Sequence, residues 1–212
     1  KLFGVEVIWT SHEERDATLK RTFDEAWAAG RRPHLIPLGA SDAVGTMGYY
    51  FAFQELMEQR ADFDWVVVAS SSGGTQAGLA LGAAAAGWQG KVLGISIDNT
   101  EIALKARVSD LANQAADKYG LAPRLTAEDI HVNANYLGAG YGILGEREVE
   151  AIRLFAGEEG LLLDPVYTGR AAGGMIDLIR AGFFKNGEKV LFWHTGGQPA
   201  LFGERYTAEL NS

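Results

Sequence analysis

The chain has 212 residues, 47% of them hydrophobic and 22% charged, which is ordinary globular composition with enough apolar material for a sizeable core. A formal net charge of −8 with no clustered basic stretch argues against nucleic acid as a partner, and the lack of cysteine excludes disulfides, thiolate catalysis and cysteine-bound metal. No apolar run reaches the roughly 18 to 20 residues of a membrane span and no secretory signal pattern opens the sequence, so a cytoplasmic protein without a membrane partner is expected.

Strand-like and helix-like patterns alternate along the chain. Val5 to Thr10 is rich in β-formers. Arg15 to Ala29 carries Ala17, Leu19, Phe23, Ala26 and Trp27 at helical spacing, and Gly30 is a fitting stop. A short strand is predicted over His34 to Leu38, and a helix over Ala43 to Gln59 with Ser41 or Asp42 as its N-cap. The stretch "LGASDAVG" around these caps is the expected passage between two lobes, 1–42 and 43–212. Trp65 to Ala69 and Val92 to Ile97 read as strands, with a helix over Thr75 to Ala86 between them. Helices follow at Ile102 to Tyr119, Arg147 to Glu159 and Ala171 to Ala181, and "KVLFWHT" from Lys189 to Thr195 is a last strand. Unbroken Val and Ile runs belong to strands covered on both faces, so the fold class is α/β, doubly wound, with a mostly parallel sheet.

In "VVVASSSGGTQAGLALG" (66–82) a buried strand runs into Ser70, Ser71, Ser72, Gly73, Gly74 and Thr75 and then into a helix of small residues. Such a turn offers free N–H groups, hydroxyls and the positive end of a helix dipole to one anion, and a phosphate fits. Gly and Ser also serve a plain tight turn. The GK[ST] of a nucleotide-binding P-loop is missing, as is G-x-G-x-x-G with its acidic partner, so a phosphate monoester suits the turn better than a dinucleotide. "LDPVYTGRAAGG" (163–174) ends a strand-like run with Tyr167 and Thr168 at a helix start, and "FWHTGGQPALF" (192–202) ends the last strand with Thr195, Gly196 and Gly197. These three turns are expected to converge on one pocket. Thr168 serves equally as an N-cap, and His194 beside Trp193 reads as a packed histidine rather than a base. "HEER" (12–15) lacks the second histidine of a zinc helix, so no metal site is assigned.

Together, "IPLGASDAVGTMGYY", "VVVASSSGGTQAGLALG", "GAGYGI", "LLLDPVYTGRAAGGMIDLI" and "VLFWHTGGQPALF" resemble the D-cysteine desulfhydrase and 1-aminocyclopropane-1-carboxylate (ACC) deaminase family of fold type II pyridoxal phosphate enzymes, in family order and over nearly the whole chain. The resemblance implies a tryptophan synthase β-like fold, with 1–42 as the remainder of a small domain and 43–212 as a large cofactor domain. It implies pyridoxal 5'-phosphate as cofactor, a small amino acid as substrate and a homodimer. Carried over by position, Ser71, Ser72, Gly73, Gly74 and Thr75 hold the cofactor phosphate, Thr195 faces the pyridine nitrogen, and Tyr141 and Tyr167 line the substrate face. Thr168 stands where ACC deaminases carry a glutamate beside that nitrogen, which favours the desulfhydrase side and β-elimination from D-cysteine or L-cysteate to pyruvate and ammonia. Asp42 departs from the asparagine expected in its loop. The family's Schiff-base lysine lies in an N-terminal part, and none of Lys1, Lys20, Lys91, Lys105, Lys118, Lys185 and Lys189 matches it. The resemblance thus reads this chain as the C-terminal portion of such an enzyme, in need of an N-terminal segment. An ACC deaminase and a phosphate-binding module or fragment without catalysis stand as alternatives.

Overall fold

The computed structural model describes residues 3–60 and 62–210; Lys1, one of the lysines considered above, lies outside them. The chain divides into two compact units, Lys1–Pro37 and Leu38–Ser212, so Leu38 to Asp42 join the larger unit. Among the described residues of the smaller unit the one regular element is helix α1 (Arg15–Ala28). The strands expected at Val5 to Thr10 and His34 to Leu38 are irregular backbone, apart from Leu38, which opens a short 3-10 turn, Leu38–Ala40. β-propensity alone does not make a strand, and neither stretch has a ladder partner among the described residues. Helix α1 forms where its periodicity predicts, yet Leu19 and Trp27 are exposed, and Thr18 and Ala26 are its buried positions.

The larger unit is an α/β layer structure. Helix α2 (Ala43–Gln59) starts at Asp42, whose carboxylate accepts from the N–H groups of Val44 and Gly45 at 2.9 and 2.8 Å. Strand β1 (Trp65–Ser70) leads into α3 (Gly74–Ala85), β2 (Lys91–Ser96) into α4 (Glu101–Tyr119), and β3 (His131–Asn133) into α5 (Glu146–Glu159). After α6 (Thr168–Arg180) come β4 (Val190–Trp193) and α7 (Glu204–Leu210). Strand β3 has only three residues and α7 seven, too short for a periodic pattern, and sequence reasoning passed over both. The run before "DPVYTG" is not a strand; Leu163 is a core residue on irregular backbone.

The four strands among the described residues are parallel, in the order β3-β2-β1-β4. Side chains alternate across β1. Val66 and Val68 pack with Phe53 and Leu79 of α2 and α3, while Val67 packs on the other face with Ala171, Met175 and Leu178 of α6. Both faces are covered, which is why β1 reads as a continuous apolar run. The chain moves outward from β1 through β2 to β3 and then returns to β1's other side with β4. The order of strand addition reverses between β1 and β4, and a crevice at the carboxyl ends of such a pair is where open α/β sheets bind ligands. Among the described residues no helix is long and apolar enough to cross a membrane.

Candidate active site

The turn after β1 lies at that reversal point. Gly73 caps α3 in the left-handed conformation (φ 93°), which a residue with a Cβ adopts only under strain. The first intrahelical bond runs from the Ala77 N–H to the Gly73 carbonyl at 2.9 Å, so the N–H groups of Thr75 and Gln76 have no acceptor within the helix. Ser72 accepts from the Ser41 hydroxyl at 2.7 Å, and Ser41 Oγ in turn receives the Gly74 N–H at 3.2 Å. A Cβ on Gly74 would lie 2.7 Å from Ser41 Oγ, so the glycine is needed for this approach. Ser41, considered above only as an N-cap, is thus part of the turn, while Asp42 does the capping. Ser70 Oγ is buried with no partner among the described residues. Hydroxyls, free N–H groups, a helix N-terminus and this orphaned hydroxyl are donors suited to a phosphate monoester.

Two charged residues missed by sequence reasoning flank the turn. The Ser71 hydroxyl donates to Asp98 Oδ2 at 2.8 Å, and its carbonyl accepts from Arg107 Nη1 and Asn99 Nδ2, each at 3.2 Å. Asp98 follows β2 on the same sheet edge, and that edge rule was the available signal.

The entry to α6 is built on Asp164. Its carboxylate accepts from the N–H groups of Val166, Tyr167 and Thr168 at 2.8, 2.9 and 2.6 Å, and from Thr168 Oγ1 at 2.8 Å. Thr168 Oγ1 also accepts the Asp164 N–H at 2.7 Å, and the residue is fully buried. The hydroxyl expected beside the cofactor ring is therefore engaged twice with Asp164. Thr168 is the first residue of α6 and not its N-cap, and the N–H groups at the helix start go to the Asp164 carboxylate instead of to the threonine hydroxyl. Gly197 (φ 94°) rests on the same aspartate, since a Cβ there would lie 2.7 Å from Asp164 Cβ. Asp164 thus joins the turn after β4 to the start of α6. His194 locks the same turn. Its Nδ1 accepts the Gly196 N–H at 2.9 Å, which requires the proton on Nε2, and Nε2 donates to the Leu162 carbonyl at 3.0 Å. Thr195 is exposed, with no hydrogen-bond partner for its hydroxyl among the described residues.

Tyr141 and Tyr167 meet through their phenol oxygens, with rings edge-on at 5.9 Å. Partial burial pushes the Tyr167 phenol above the ordinary tyrosine range; the bond to Tyr141 and the negative Asp164 and Asp98 add to the rise. Tyr141 sits on a loop that also bonds α7, through Tyr206 Oη to the Gly142 carbonyl at 2.7 Å.

Residues 1–196 match the family profile described as pyridoxal-phosphate dependent enzyme. The 1-aminocyclopropane-1-carboxylate deaminase of Methylobacterium nodulans is 42% identical over 193 residues, which is 89% of this chain and 57% of that protein. A crystal structure of an ACC deaminase homologue superposes with a TM-score of 0.86 at 32% identity, covering 99% of this chain and 63% of that one. Serine racemase from Dictyostelium discoideum, 18% identical with a TM-score of 0.57 over 92% of this chain and 62% of its own, shares the fold. The chain spans a little over half the length of the curated relatives it matches.

Proposed function

Because the chain belongs to the pyridoxal-phosphate dependent enzyme family, related to ACC deaminases, we propose that it carries the cofactor-binding half of a lyase that eliminates a thiol-like group from Cβ of a small amino acid such as D-cysteine. Elimination followed by hydrolysis yields pyruvate and ammonia, with sulfide as the released group. L-Cysteate would release sulfite in the same way. When bound, pyridoxal phosphate supplies an electron sink conjugated to the substrate amine.

The residues of this chain supply position and proton control. The turn Ser71, Ser72, Gly73, Gly74 and Thr75 holds the phosphate monoester through the hydroxyls of Ser72 and Thr75, its free N–H groups and the α3 dipole, while Ser71 is held by Asp98 and Gly74 by Ser41. Thr195 offers a neutral hydroxyl to the pyridine nitrogen. Tyr141 Oη and Tyr167 Oη share a hydrogen bond at the substrate face, and two phenols in contact can each donate a proton to, or accept one from, a group bound there.

One observation carries the preference for β-elimination: where the resemblance gives ACC deaminases a glutamate, this chain has Thr168, a buried hydroxyl closed on Asp164. A ring nitrogen without a charged partner makes a shallower sink, which suits a leaving group that departs with its own charge. The name shared by relatives 37 to 42% identical favours a second reading, ring opening of ACC. The homodimer implied by the resemblance and the cytoplasmic location expected from the sequence belong to the same proposal. Its test is the kcat/KM of the full-length protein, with its N-terminal segment, for D-cysteine, L-cysteate and ACC, following release of pyruvate or of the four-carbon 2-oxo acid. Turnover of D-cysteine above ACC supports elimination, and the reverse order supports ring opening. Cofactor binding with no 2-oxo acid from any of the three overturns both.

A further inference from the structure

Arg170 is 2% exposed and its side chain contacts three separate chain segments. Nε donates to Glu148 Oε1 at 2.7 Å, Nη1 to the Ile97 carbonyl at 3.0 Å, and Nη2 to the carbonyls of Gly140 and Ile143 at 3.1 and 2.9 Å. Ile97 immediately precedes Asp98, the partner of Ser71 in the phosphate turn. Gly140 and Ile143 bracket Tyr141. Arg170 itself stands one helical turn after Tyr167 on α6, whose Ala171, Met175 and Leu178 are bound into the core on β1 and β2. From these contacts we propose that Arg170 is a positioning residue: its guanidinium holds the Tyr141 loop at its base so that the two phenols meet, and ties that loop to the strand end that serves the phosphate turn.

The geometry requires arginine. Only a planar fork reaches a carboxylate and three carbonyls in different directions, whereas a lysine has one nitrogen to share among them. Glu148, with its side chain 7% exposed, neutralises the buried cation. A buried ion pair of this kind adds little stability over apolar residues of the same volume, so fold stability alone does not account for it. The loop is shaped to the pair as well. A Cβ on Gly138 would lie 3.2 Å from Arg170 Nη2, and one on Gly145 would lie 2.8 Å from Glu148 Oε2. The proposal rests on the reading of Tyr141 and Tyr167 as substrate-facing groups.

NMR of the protein labelled at tyrosine Cζ tests it without cofactor, so the outcome is independent of whether pyridoxal phosphate binds. Tyr141→Phe and Tyr167→Phe assign the two signals. In Arg170→Lys both signals are expected to move to the position of an exposed phenol such as Tyr119, while Tyr136, held by Asp177 at 2.9 Å, stays where it is. If Arg170→Lys does not fold, the paired replacement Arg170→Met with Glu148→Leu removes the charge together with the loop bonds and is expected to give the same selective shift. Unmoved Tyr141 and Tyr167 signals in a folded variant would overturn the assignment. So would a Tyr136 signal that moves with them, or failure of both variants to fold, since each makes the role of Arg170 one of general stability. A selective shift in a protein that does not bind pyridoxal phosphate by absorbance titration would leave the positioning role standing and remove the proposed function.

Discussion

Asp164 shows how one buried carboxylate organises a site: four donors converge on it and Gly197 rests against its side chain. Replacing Thr168 by glutamate to mimic the deaminases brings a second carboxylate against it in a dry environment. Thr168→Glu is therefore expected to destabilise the fold by roughly 3 kcal/mol, the cost of an uncompensated buried charge, measured as a lowered urea midpoint. A variant as stable as the parent would mean that the Asp164 network is looser than its distances imply. At Gly74 the constraint is steric, and Gly74→Val pushes on Ser41 and disturbs the donors of the turn. Its expected effect is at least about a tenfold loss of pyridoxal phosphate affinity by absorbance titration, equivalent to about 1.4 kcal/mol. Tyr136 provides a pH test. Burial first, then its bond to Asp177, pushes its phenol up from 10.0 to about 12. A folded-state value above the unfolded one stabilises fully below the unfolded value and is lost as pH climbs through the folded one. Between pH 10 and 12 the protein should thus lose stability more steeply than Tyr136→Phe does, as followed by denaturant titration across that window.

At the scale of elements, the contact of α2 with α3 depends on residues without side chains. A Cβ on Gly78 would come within 2.3 Å of the Thr46 carbonyl, and one on Gly82 within 2.8 Å of Phe53 Cβ. Both backbones are held against the sheet by the cluster around Phe53, Val66 and Leu79, so neither helix can retreat without opening the core. Gly78→Ala gains helix propensity but overpacks this contact, and a net loss of about 2 kcal/mol is expected in thermal or urea unfolding. Because the N-terminus of α3 opens on the serine and glycine turn proposed to hold the cofactor phosphate, the same variant is expected to weaken cofactor binding.

Across the whole molecule the strands divide the protein into two edges with different tasks. Their carboxyl ends carry Ser71, Asp98 and Thr195. Their amino ends carry Lys91, stacked over Trp65, and Lys189, paired with Asp62 at 2.7 Å. Of the other described lysines, Lys20 and Lys105 pair with acids one helical turn away, and Lys118 lies over Tyr119. Borohydride reduction with pyridoxal phosphate, followed by peptide mapping, is expected to label none of the seven lysines stoichiometrically. A single fully labelled lysine would show that the chain supplies its own covalent anchor.

Much of this was legible in the sequence because the signals are local. Unbroken β-branched runs at Trp65 and Val92 require cover on both faces, periodic apolar positions gave α2 to within a residue, and the serine and glycine turn after β1 follows from the needs of a strand-to-helix passage. The motif set of the family is also a property of the sequence, and the match over residues 1–196 agrees with it. Tertiary structure decided the rest, because the deciding contacts join residues far apart in the chain. Whether Val5 to Thr10 forms a strand depends on a neighbour to bond, which its own composition cannot supply. Thr168 reads from sequence as either a ring partner or a cap, and only the folded position of Asp164 engages its hydroxyl. The roles of Ser41, Asp98 and Arg170 come from partners 31, 27 and 22 to 73 positions away, set by how the strands and helices stack rather than by any pattern in the residues themselves.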